Sequence, residues 1–116
     1  MSQLSESHAA AYRENETHLS DQEVAGLKPQ VPDWTVTEQD GVKQIERSFK
    51  FPDFGQALSF TDQIGRLAEA ENHHPAILTE WGKVTVTWST HKVHGLHKND
   101  FVMAAKTDEV IRQGKI

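Results

Sequence analysis

The stretch that most limits how this chain can fold lies between Pro52 and Pro75. Phe54, Ala57, Leu58, Thr61, Ile64 and Ala68 recur there at helical spacing, and Phe60 and Leu67 widen the stripe. Asp53 is placed to cap the first turn, with Gln56 at the capping-box position. His74 precedes a proline, which pushes it out of helical geometry, so the helix is expected to end near Asn72. A helix with so broad an apolar stripe has to lay it on another layer. The segments on either side supply that layer.

Trp34-Thr35-Val36-Thr37-Glu38 reads as a strand, and Gln39-Asp40-Gly41 as a turn whose glycine can take positive φ. Val42 to Phe51 reads as a second strand whose Ile45, Phe49 and Phe51 share one face, with Arg47 the odd member. After Pro75 come Ile77 to Trp81, a turn at Gly82-Lys83, and the alternating strand Val84 to Thr90. A first short helix follows the capping box Ser20 to Glu23 and stops before Pro29. The last helix starts near His97, with Asp100 in its first turn, where the dipole favours an anion. Phe101, Ala104, Ala105 and Ile111 form its inner stripe. The order α-β-β-α-β-β-α predicts an α+β fold, a four-stranded antiparallel sheet with helices packed on one face. Residues 1–18 are polar and aperiodic and are expected to form a flexible arm, leaving 19–116 as a single domain.

Charge and composition exclude several classes. The 116 residues carry a net charge of -5, with no run of Lys or Arg, so a general nucleic-acid surface is not expected. Cysteine is absent, which removes disulfides, thiolate metal sites and cysteine nucleophiles. Neither a leader peptide nor a membrane span is expected, and a cytoplasmic location fits.

Chemistry concentrates in Glu69-Ala70-Glu71-Asn72-His73-His74-Pro75, followed by His91 and Asp100. Glu69 and His73 are four apart, on one helix face near its end. Histidine titrates near neutrality, so imidazoles beside carboxylates suit proton transfer. His73 and His91 are expected to project from element ends on the polar side of the pattern, where truncation leaves little cavity. The plainer alternative is two histidines ending a helix and a third exposed on a strand. A metal reading through His91, His94 and His97 meets a spacing that crosses a strand end and a glycine-containing loop, and it matches no standard zinc pattern. Trp88 shares the apolar parity of Val84 and Val86 and belongs to the core. Trp34 and Trp81 could equally be core or wall a pocket for a flat heterocycle.

Taken with Trp34, Lys50-Phe51-Pro52-Asp53-Phe54, Trp81, Ser89-Thr90-His91 and Gly95-Leu96, these residues resemble the pterin-4a-carbinolamine dehydratases over about residues 20 to 112. The resemblance implies a dimer or tetramer. It also implies loss of water from 4a-hydroxytetrahydropterin, which recycles the cofactor of aromatic amino-acid hydroxylases such as phenylalanine hydroxylase. By motif position His73 and His91 would be the acid and base, and His74 would hold the pterin. Glu69 and Asp100 would tune the imidazoles or bind polar pterin edges. Asn72, Pro75, Ser89, Thr90, Trp34 and Trp81 would complete the surroundings, with no metal or organic cofactor. Mammalian relatives carry aspartate where this chain has Asn72. Vertebrate members also act as dimerisation cofactors, so a non-catalytic binding module on the same scaffold is the competing reading.

Overall fold

The computed structural model describes residues 3–9 and 17–114. Strands β1 (Thr35–Gln39), β2 (Val42–Lys50), β3 (Ala76–Glu80) and β4 (Lys83–Trp88) form one antiparallel sheet in the order β1-β2-β4-β3. Helices α1 (Asp21–Leu27), α2 (Phe54–Glu71) and α3 (Lys98–Gln113) complete the expected order. Asp40 and Gly41, both at positive φ, turn β1 into β2. The register pairs Ile45 with Trp88 and Phe49 with Val84. These side chains, with Val86, face α2 and α3 and are almost wholly buried. The opposite face carries Thr37, Gln44, Glu46, Thr85 and Thr87 and is left uncovered by the helices of the described residues.

Local chemistry sets the helix ends. Ser20 and Glu23 form a reciprocal capping box on α1, and Asp53 accepts from the Gln56 amide at 2.8 Å to start α2. The inner row of α2 is Ala57, Phe60, Ile64 and Ala68. Phe54 and Leu58, expected in that stripe, are 45% and 52% exposed. Both lie about a quarter-turn or more round the helix from Ile64, so they miss the sheet.

Arg47 is explained by a partly buried cluster. It pairs with Asp108 at 2.7 Å and lies 4.5 Å over the Phe49 ring, while the Trp34 indole N–H donates to the same carboxylate oxygen at 2.8 Å. Burial of Asp108 raises its pKa above the ordinary carboxylate value, outweighing the Trp34 and Arg47 contacts that pull it down.

The N-terminal stretch departs from expectation where it is described. Gln3–Glu6 forms a 3-10 turn against α3 with Leu4 only 4% exposed, so part of the expected flexible arm packs. Its single apolar side chain finds a groove that no periodic pattern announced. Residues 10–16 of that arm lie outside the described residues.

Candidate active site

α2 ends as expected, with Glu71 its last residue and Asn72 its cap, but the side chains that follow leave the helical projection. Asn72 caps it in the left-handed conformation at φ 54°, and the amide of His73 returns to the Ala68 carbonyl. This turn reverses the expected pairing. His73 swings inward and His74 outward, so it is His74, not His73, that hydrogen-bonds the Glu69 carboxylate. His74 and Glu69 are both largely exposed.

His73 is a core residue, contrary to its expected place on the polar side. It is 6% exposed, its ring stacks on Trp88 with centroids 5.6 Å apart, and its Nε2 lies 2.6 Å from Asp100. Asp100 is wholly buried. Its second oxygen accepts from the Thr90 hydroxyl at 2.8 Å and from the His97 amide at 2.9 Å. His97 in turn caps α3 by accepting from the Asn99 amide. The carboxylate therefore sits in the first turn of α3 with three donors and a favourable dipole around it. Such a partner fixes the orientation of the imidazole and which ring nitrogen faces the carboxylate. A cap near His97 was expected, but that the histidine side chain itself supplies it, and the Thr90 contact, were not read from the sequence. Histidine is an uncommon cap, though the His97-to-Asp100 spacing of a capping box was visible.

β4 stops at Trp88, and Thr90 bridges to Gly95, closing a loop whose 3-10 turn His91–Val93 presents an exposed His91. The cleft lies where β3 begins and β4 stops. Asn72, His73, His74, Ser89, Thr90, His91 and Lys92 line one lobe of about 240 Å³. His74, Ser89 and His91 also border a larger lobe of about 560 Å³ on the uncovered sheet face, with Pro75, Gln44 and Thr87. The three histidines thus meet in one cleft, with Asp100 behind His73. Gln44 and Thr87 were not singled out as site residues from the sequence. Gln44 and Thr87 share the polar parity of their strands, a signal too common to mark a site.

Two residues of the expected surroundings stand elsewhere. Trp34 is 1% exposed and bound to Asp108, so it takes the core alternative. Trp81 is 70% exposed in the β3–β4 turn, at the end of the sheet away from the cleft. His91, His94 and His97 do not converge, since His97 is turned into the α3 cap. Among the described residues no three His, Cys, Asp or Glu side chains come together to hold a metal ion. No helix among them is long and apolar enough to cross a membrane.

Fold and cleft define an α+β protein with a buried histidine–carboxylate pair and two further histidines at the open end of its sheet. The sequence profile of the pterin 4 alpha carbinolamine dehydratase family matches residues 17–110, and the chain belongs to that family. It is similar to a Nitrosococcus oceani protein provisionally named pterin-4-alpha-carbinolamine dehydratase, 53% identical over 97% of this chain and 99% of the relative. Among solved structures it resembles a transcriptional coactivator/pterin dehydratase from Brucella melitensis. That likeness has a TM-score of 0.72 at 33% identity, over 81% of this chain and 98% of the other. A pterin dehydratase-like RuBisCO assembly factor of the alpha-carboxysome shares the fold at 20% identity, with a TM-score of 0.57, over 67% of this chain and 88% of that one.

Proposed function

We propose that this protein dehydrates 4a-hydroxytetrahydropterin to quinonoid dihydropterin. The C4a–O bond breaks and the oxygen takes a proton to leave as water. The neighbouring ring nitrogen loses its proton as the C=N bond forms. Both transfers suit imidazoles held in fixed positions, and such general acid–base catalysis contributes roughly a hundred- to ten-thousand-fold. His73, held by Asp100, and His91 are the acid/base pair in this reading. His74, steadied by Glu69, holds the pterin. The observation that carries the proposal is the meeting of His73, His74 and His91 in one cleft with His73 bonded to a wholly buried carboxylate. By the same reading the protein works in the cytoplasm as a homodimer or homotetramer. It recycles the cofactor of an aromatic amino-acid hydroxylase such as phenylalanine hydroxylase.

The deciding experiment is turnover of freshly prepared 4a-hydroxytetrahydropterin above the uncatalysed rate, before and after exhaustive chelation. Activity should appear and survive chelation. Loss of turnover on removal of a stoichiometric metal would overturn the metal-independent mechanism. No turnover by the folded protein would favour the binding module.

A further inference from the structure

Glu71 is in an unusual place. It closes the last turn of α2, three residues after Ala68 and seven after Ile64, on the row that faces the core. Its side chain is only 11% exposed. A helix C-terminus disfavours an anion, and burial disfavours any charge, so two effects oppose a carboxylate there. The N-terminal segment answers both. The Ala9 amide donates to one oxygen at 2.8 Å, and the His8 ring lies 3.0 Å from the other. Burial alone would raise the pKa of Glu71, but these bonds, with the Lys106 charge, hold it below its usual value. The same segment is fixed to α3, because Leu4 is buried there and the Lys106 ammonium donates to the Ser5 carbonyl at 3.1 Å.

From this geometry we infer that residues 3–9 are a strap that holds the His73-bearing end of α2 against α3, with Glu71 as the positioning residue. The two partners of the buried pair come from the two elements the strap joins, since His73 follows α2 by two residues and Asp100 opens α3. At the turn the Asn72 amide reaches the Ala68 and Glu69 carbonyls, the latter at 3.4 Å, and the His73 amide reaches Ala68 at 3.2 Å, all helix-end hydrogen bonds. Helix ends fray, so an anchor one residue earlier limits where the His73 ring can stand. Misplacing a reacting group by about 1 Å can cost about a hundredfold in rate. This role in turnover rests on the dehydratase reading, whereas the strap itself does not.

The test pairs kinetics with hydrogen exchange on the full chain. Glu71→Ala should lower kcat by about tenfold, with a smaller change in KM, for a histidine held less well but not lost. The amides of Asn72 and His73 should exchange faster, while those of Val84 and Val86 in β4 keep their protection. Glu71→Gln, which still accepts from the Ala9 amide, should recover part of both effects. Ala9→Pro, which removes that donor from the strap's side, should reproduce the loss and add nothing to Glu71→Ala. Unchanged exchange in Glu71→Ala and Ala9→Pro would overturn the strap. Faster exchange with unchanged kcat would overturn the positioning role. A wild-type protein without turnover would sink the dehydratase reading and with it the kinetic role, while exchange alone would still decide the strap.

Discussion

His73 and His91 share a cleft but not an environment, and substitution should separate them. His73→Ala removes a ring packed on Trp88 and a donor to buried Asp100. An unsatisfied buried group costs about 1–3 kcal/mol, so this variant should melt clearly lower as well as turn over slowly. His91 is exposed, and His91→Ala should change stability by no more than about 0.5 kcal/mol. Its rate should still fall about a hundredfold, equivalent to about 2.7 kcal/mol of barrier. His74→Ala should move KM more than kcat, since a group that binds ground and transition states alike acts on affinity. Matched melting curves and steady-state kinetics for the three variants decide the matter. Near-wild-type rates for His91→Ala would remove it from the acid/base pair. Equal melting of His73→Ala and wild type would contradict the buried pair.

The geometry of the site is set by how elements end, and that is where sequence reading succeeded and failed. Ser20, Asp53 and Pro75 act through the nearest few residues, so the helix boundaries they set were legible. Which side of α2 meets the sheet depends on partners far along the chain. Phe54 and Leu58 therefore looked like core and are not. The inward turn of His73 follows from Asn72 in the left-handed conformation, which asparagine adopts more readily than most residues, so a signal was present but ambiguous. That conformation predicts the effect of substitution. Asn72→Ala should cost about 1 kcal/mol, because a Cβ without a compensating polar side chain is strained there. Asn72→Gly should stay within a few tenths of wild type or gain slightly. Urea midpoints at constant m-value report the difference. An alanine variant as stable as wild type would show that the turn does not impose its conformation.

At the scale of the whole molecule, burial is uneven. Helices cover one face of the sheet, and among the described residues β1 and β3 are its edge strands. The sequence showed an amphipathic domain but gave no location for an interface, because apolar residues serve a core and a contact equally well. The structure shows which apolar residues the core leaves out. Phe54 and Leu58 stand four apart on the outward side of α2, and Leu78 and Trp81 are 59% and 70% exposed on β3 and its turn. Single exposed apolar residues are ordinary, whereas an exposed apolar pair on a helix and another at an open edge strand are what a contact between copies would use. The expected outcome is a homo-oligomer whose mass is a small multiple of 13.1 kDa at micromolar concentration. A stable contact buries about 800 Å² per partner, and placing a charge inside it should cost several kcal/mol. Leu58→Glu and Leu78→Lys, each exposed in the single chain, should therefore keep the fold and its circular dichroism. Whichever of them lies in the interface should shift sedimentation toward the monomer. Wild-type protein that sediments only as monomer would sink the oligomer. A mass unchanged in both variants would place the contact on some other surface of the molecule.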